Sequence, residues 1–254
     1  MKPFFSPPLF LAALAATCFF AAAPRPAAAQ TSLFINTGTS KTSSSDLTIR
    51  QPGVGTDITF RNIDWATRPF SGSIYYGYRI EHFFKNRPNL GIDIDFTHNK
   101  VYSDPNQNVA TSGTFYGQPV SGDTRLGDRV QEYRITNGVN TIGLDVLYRF
   151  RVRGQAPGYP FGQRLQPYVG GGPAYFIVWG GNTVNGKEGG RRYENSGFGF
   201  QLKGGARYYL TPDISLFGEL KYTDGDAEIS VADGGKSTTS LRTVHTLFGV
   251  GYTF

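Results

Sequence analysis

The chain is predicted to be all-β, an eight-stranded antiparallel up-and-down barrel that crosses a membrane with its strands, and three observations predict it. Apolar side chains recur at alternate positions in segment after segment, which is the period of a strand and not of a helix. The connections between those segments alternate between short and long, as they do when inner turns are tight and outer loops are large. The last segment is apolar along one face to its final residue, with Phe254, Tyr252, Val250, Phe248, Thr246 and Val244 opposing Thr253, Gly251, Gly249 and His245. An open edge of that kind invites aggregation, and closing the sheet on itself removes it.

Met1-Lys2 leads into an apolar stretch from Leu9 to Ala23, and Ala27-Ala28-Ala29 supplies the small residues that a signal peptidase requires. Residues 1–29 are therefore expected to be a secretory signal peptide, and residues 30–254 a single barrel domain with long outer loops. The apolar stretch falls short of the roughly 20 residues that span a bilayer as a helix. Pro24 and Pro26 follow it. Cys18, the one cysteine, lies in the signal, so no disulfide and no cysteine-ligated metal is expected in the mature chain. A lipoprotein cleavage at Cys18 is disfavoured because Ala15-Ala16-Thr17 lacks the leucine pattern that such sites show. The formal charge of +6 includes Lys2 and Arg25, which leaves 6 − 2 = +4. An exported, modestly basic chain makes nucleic acid an unexpected partner and acidic surfaces the expected one. The 33 Gly, 15 Tyr and 20 Phe at a mean hydropathy of −0.30 fit strands that are apolar on one face and polar on the other, in a membrane barrel or a soluble all-β protein alike.

In chain order, Ser32 to Asn36 starts the first strand, and Thr37 to Phe70 reads as its continuation into a long, partly stranded outer loop. The second strand places Ile74, Tyr76, Tyr78, Ile80, His82 and Phe84 against Tyr75, Gly77, Arg79, Glu81 and Phe83. After the turn Lys85 to Asn89, the third sets Leu90, Ile92, Ile94 and Phe96 against Gly91, Asp93, Asp95 and Thr97. Val101 to Gly138, rich in Gly, Asn, Ser and Thr, reads as a large loop. The fourth strand opposes Ile142, Leu144, Val146, Tyr148 and Phe150 to Gly143, Asp145, Leu147, Arg149 and Arg151. Arg153 to Leu165 is an inner connection longer than small barrels usually have. Tyr168 to Trp179 is the fifth strand, blurred by Gly170-Gly171-Gly172-Pro173. Gly180 to Asn195 reads as a basic loop. Phe198 to Leu210 and Ile214 to Tyr222 are the sixth and seventh strands across the turn Thr211-Pro212-Asp213, and Asp224 to Ser240 reads as a polar loop.

An ending of Phe-Gly-Val-Gly-Tyr-Thr-Phe after such strands resembles the closing strand of bacterial outer-membrane β-barrels, and the whole pattern resembles small barrels of the OmpA and OmpX kind. The resemblance implies a bacterial outer-membrane location. It further implies that Phe248, Val250, Tyr252 and Phe254 form the signal read by the barrel assembly machinery, with membrane lipids and lipopolysaccharide as neighbours. The family role it implies is architectural or surface-interacting, with the outer loops open to an extracellular ligand and no cofactor.

The polar faces collect Arg79, Arg149, Arg151, Lys203, Arg207 and Lys221 against Glu81, Asp93, Asp95, Asp145 and Glu219. Eight strands leave an interior just wide enough for side chains to fill. Buried ions need partners, so these charges are expected to interlock and plug the lumen. A narrow channel for small solutes is the alternative. A lipid A-modifying enzyme is a third reading, since some barrels use His with Ser, Asp or Glu near the outer rim. His245 is expected at the outer start of the last strand near Asp233, Ser237 and Ser240, with His98 ending the third strand and His82 low in the second, but no catalytic spacing joins them. Asp93 with Asp95, and Asp224-Gly225-Asp226, are fragments of cation sites; ion pairing is the expected fate of the first, and no metal is expected. Trp65, Trp179, Tyr208, Tyr222 and Tyr252 are expected to join interfacial aromatic girdles.

Overall fold

A computed structural model of the chain describes residues 30–68 and 74–254. The expected signal over residues 1–29 lies outside the described residues. The described chain holds one sheet of thirteen strands. In order they are β1 (Gln30–Thr42), β2 (Ser45–Gln51), β3 (Thr56–Ile63), β4 (Trp65–Ala66), β5 (Tyr76–Phe84), β6 (Arg87–Ser103) and β7 (Asn108–Phe115). There follow β8 (Gln118–Arg125), β9 (Val130–Arg149), β10 (Leu165–Val184), β11 (Lys187–Tyr209), β12 (Ile214–Val231) and β13 (Gly235–Thr253).

Eight of them form a ring in the order β1-β5-β6-β9-β10-β11-β12-β13, every pair antiparallel. The ring closes where β13 returns to β1, with Ser32 opposite Thr253 and Thr42 opposite Thr243. Both termini of the described chain therefore lie at one end, called here the inner end. The remaining strands lie at the outer end: β2 pairs with the upper part of β13, then β3, β7 and β8 follow in turn, while β4 pairs with β6.

The ring strands run far past a bilayer. A transmembrane strand needs about 9–11 residues, whereas β12 has 18 and β11 has 23. The polarity of their two faces reverses partway up. In the inner half of β12, Ile214, Leu216 and Leu220 point outward while Ser215, Phe217, Glu219 and Lys221 are buried. Beyond Thr223 the outward residues are Asp224, Asp226, Glu228 and Ser230, and the buried ones are Gly225, Ala227, Ile229 and Val231. The outer face must be apolar where it meets hydrocarbon and polar where it meets water, so the reversal marks where the chain leaves the membrane.

Above that level the strands enclose an ordinary apolar core. It takes Leu47 and Ile49 from β2, Ile58 and Phe60 from β3, Val130, Tyr133 and Ile135 from β9, Val178 from β10 and Ile229 from β12. Each such fully buried side chain contributes about 1.5–3 kcal/mol. Four stretches read from the sequence as outer loops are thus stranded. Thr37 to Phe70 holds the rest of β1 with β2, β3 and β4; Val101 to Gly138 holds β7, β8 and the outer half of β9; Gly180 to Asn195 is the outer hairpin of β10 and β11; Asp224 to Ser240 is that of β12 and β13. Their Ser, Thr, Asp and Gly content looks loop-like because those residues form the water-facing half of each strand. The turns are tight: Tyr116-Gly117 and Asn185-Gly186 both have two consecutive positive φ values, the geometry of two-residue hairpins.

Candidate functional site

Inside the membrane half, charged side chains from opposite walls meet across the lumen. The Arg79 guanidinium on β5 donates to both carboxylate oxygens of Glu219 on β12 at 2.6 and 2.7 Å, and the Tyr168 hydroxyl donates to the same carboxylate at 2.7 Å. The Lys203 ammonium on β11 lies 3.0 Å from Asp93, 2.7 Å from Asp95 and 2.5 Å from Asp145. Lys221 reaches Asp95 at 3.1 Å. Gln201 donates to Asp145 at 2.6 Å and to Asp95 at 3.1 Å. Nearer the inner end Arg207 pairs with Glu81 at 2.6 Å. The oxygens of Asp93, Asp95 and Asp145 converge closely enough to suggest a cation site, and the ammonium of Lys203 fills that role.

Aromatic rings divide the charges into tiers. Phe34 and Phe217 meet edge to face at 5.4 Å between the two groups of ion pairs. Arg207 lies over Phe34 at 4.5 Å and Arg79 over Phe217 at 5.5 Å. The terminal strand makes room for them: a Cβ added to Gly251 would stand 2.1 Å from the Phe34 ring, and one on Gly249 would stand 2.7 Å from the Phe217 ring.

Arg149 is held differently. Its guanidinium donates to Gln30, to Gln166 and to the carbonyl of Pro88, and it stacks on Phe83 at 3.9 Å and Phe161 at 4.2 Å. Phe161 belongs to the long connection after β9, which folds back under the barrel: Gln166 at the start of β10 donates to the carbonyl of Pro160 at 2.6 Å. The length of this inner connection is explained by that return.

Of the eleven charged residues assigned to the lumen from the sequence, ten are buried there: Arg79, Glu81, Asp93, Asp95, Asp145, Arg149, Lys203, Arg207, Glu219 and Lys221. They comprise five cations and five anions. Arg151 is not among them. The ladder of β9 ends at Arg149, and Arg151 is exposed on the inner connection with its guanidinium 4.2 Å over Phe161.

His245 also sits elsewhere than expected. The last strand begins at Gly235, so His245 lies well inside it, only 1% exposed, where its Nδ1 meets the Tyr75 hydroxyl at 2.8 Å and its Nε2 the Thr223 hydroxyl at 3.0 Å. Asp233, Ser237 and Ser240 are not gathered around it: Asp233 is at the outermost turn, Ser237 meets Tyr133, and Ser240 donates to Asp226. His98 stacks on Tyr76 at 4.8 Å and meets Asn140, and His82 meets Thr31, so the three histidines occupy separate places. Trp65 is in the outer core, packed on Tyr133 with its indole donating to Ser45, and forms no part of an interfacial girdle.

At the outermost tip three hairpin turns are tied by side chains. The Lys187 ammonium donates to both oxygens of Asp233 at 2.9 and 2.8 Å, and the Tyr116 hydroxyl donates to Asp233 at 2.9 Å. Those donors hold the Asp233 carboxyl below its usual range, and Asp233 holds Lys187 above its own. Burial in the outer core pushes the Tyr133 phenol well up. On the outer walls exposed charges pair across strands, as in Arg50 with Asp57, Arg61 with Asp46 and Lys236 with Glu228.

Lipid-facing aliphatics around a ring of eight strands, with ionised side chains inside, define a transmembrane β-barrel. Residues 11–254 match the model of the outer membrane protein beta-barrel domain, and the chain belongs to that family, whose place is the bacterial outer membrane. The outer membrane protein OprG from Pseudomonas aeruginosa is similar in fold, with a TM-score of 0.50 at 13% identity over 89% of this chain and 96% of that one. Neisserial surface protein A is 12% identical over 89% of this chain and 97% of its own, with a TM-score of 0.42. A major outer membrane protein from Thermus thermophilus is 16% identical over 89% of this chain and 100% of its own, with a TM-score of 0.44. No curated protein sequence matches the chain.

Proposed function

We propose that this is a non-enzymatic outer-membrane barrel, closed to solutes by its own side chains, whose stranded outer extension is the surface offered to partners outside the cell. What carries the reading is the buried set of four cations and five anions that interlock in the lumen, with Arg149 closing the inner end on Gln30, Gln166 and Phe83. Side chains of β6, β9, β11 and β12 paired at 2.5 to 3.1 Å occupy the middle of the ring, and an interior of eight strands has no width to spare around them. The enclosure of His245 supports the non-enzymatic part, because a rim catalyst must reach its substrate. The outer extension suits a binding role: its own core holds it rigid, and its walls carry paired charges and hydroxyls. Phe248, Val250 and Phe254 project outward, 57%, 44% and 49% exposed, beside half-buried Tyr252, which is how a strand would present a signal to the assembly machinery. Lipopolysaccharide is the proposed neighbour of the lower outer walls. Planar-bilayer recording tests the closure: the folded protein is expected to give no reproducible single-channel conductance, and a stable unitary step would overturn it.

A further inference from the structure

The connections at the inner end carry mostly positive charge. Lys85 and Arg87 lie at the turn from β5 to β6, and Arg151, Arg153 and Arg164 in the connection from β9 to β10, whereas Asp213 is the one acid in these connections and the turn from β11 to β12. All five cations are exposed. Among the described residues, the ion pairs at the surface belong to the outer half, as in Arg50 with Asp57, Arg61 with Asp46, Arg191 with Glu188 and Arg242 with Asp224, and none includes these five.

Their height is set by their neighbours. Lys85 directly follows Phe84, Arg151 directly follows Phe150, and Arg164 directly precedes Leu165; those three apolar residues point outward and are 36%, 43% and 43% exposed. Lys85, Arg151 and Arg164 therefore stand one step beyond the last lipid-facing side chain, at headgroup level, with Arg87 and Arg153 two residues along the chain from Lys85 and Arg151. Arg151 is steadied by the Phe161 ring beneath it, which leaves its planar fork free for a bidentate oxyanion.

We propose that these residues form a basic collar that selects anionic glycerophospholipids, through their phosphates, in the periplasmic leaflet. The inference is independent of the reading given for the lumen and the outer extension. Clustered Lys and Arg beside a membrane span attract anionic headgroups, and salt weakens the attraction. Lipid is favoured over the cell wall as the anion because the collar is continuous with the lipid-facing belt.

The test uses the full mature chain folded in phosphatidylcholine bilayers, with spin-labelled phosphatidylglycerol and spin-labelled phosphatidylcholine compared as boundary lipids. The expected result is a preference of roughly threefold for phosphatidylglycerol at low salt, shrinking as ionic strength rises. Replacing Lys85, Arg87, Arg151 and Arg153 together by Gln is expected to bring the ratio to about one. Arg→Lys replacements at 87, 151 and 153 are expected to keep it, and Arg50→Gln with Arg61→Gln to leave it unchanged. Heat-modifiable gel mobility confirms folding of each variant; should the fourfold variant not fold, Arg151→Gln alone must still lower the ratio. Equal partition in the unaltered chain, or a preference that survives the Gln replacements, overturns the proposal. So does an unchanged lipid ratio accompanied by lost binding of soluble peptidoglycan fragments.

Discussion

Along β12 the inward residues are Ser215, Phe217, Glu219 and Lys221 in the inner half and Gly225, Ala227, Ile229 and Val231 in the outer half. The backbone is the same, yet the two halves are built on opposite principles. The inner half has lipid outside, so its polar groups must be satisfied by one another within. The outer half has water outside, and folds as a soluble sheet around an apolar core. The comparison teaches that strand pairing is continuous through both halves, while what holds each together is different.

The largest expected effect that separates them comes from Lys203→Met, which leaves Asp93, Asp95 and Asp145 without their shared ammonium. Stripping a partner from buried charges costs about 3–5 kcal/mol, read as a lowered urea midpoint in lipid vesicles. Unchanged stability would mean that the lumen is wet enough to solvate the acids.

In the outer half, Ile229→Ala removes a side chain that is 1% exposed in the apolar core. A loss of about 2–4 kcal/mol is expected, confined to that half. Limited proteolysis is expected to clip the outer strands while the membrane ring keeps its heat-modifiable mobility; simultaneous loss of both would show one cooperative unit.

Gly251→Ala drives a Cβ against Phe34 in the lumen. Overpacking of this kind costs about 1–3 kcal/mol, and Gly251→Ala combined with Phe34→Leu is expected to recover part of the loss in the same urea assay.

The smallest effect lies at the tip. Lys187 and Tyr116 hold the Asp233 carboxyl below its ordinary value. A carboxyl that is more acidic when folded contributes stability above its unfolded pKa, and that contribution is lost as pH falls through the folded one. Amide exchange at the three tip turns is therefore expected to quicken upon acidification below the ordinary aspartate range, and Asp233→Asn to abolish the dependence without changing the ring.

The membrane half was legible because two solvents force strict alternation: Ile92, Ile94 and Phe96 against Asp93 and Asp95 marks a strand with one apolar and one ionised face. The outer half was not, because strands such as β7 and β8 carry few apolar side chains and expose Ser, Thr and Asn on their wet face. Asn185-Gly186 was the available signal, a dipeptide that marks a two-residue hairpin between strands. Arg151 misled because its parity continues that of Arg149, while the ladder stops two residues earlier to let the connection turn beneath the barrel. The role of Phe161 had no local signature, since it depends on where that connection returns.

Arg79 comes from β5 and its carboxylate partner Glu219 from β12, far apart in sequence and on opposite walls. Arg79 also lies 3.4 and 3.7 Å from Asp93 and Asp95 of its own hairpin. The acids of β5, β6 and β9 in the lumen, Glu81, Asp93, Asp95 and Asp145, nonetheless outnumber the cations there and are balanced only by Lys203, Arg207 and Lys221 of β11 and β12. Sinking unbalanced acids into hydrocarbon before those arrive is prohibitive. Biogenesis of such a molecule must therefore delay immersion of the early hairpins until the late ones arrive, so that electroneutrality itself sets the timetable of assembly.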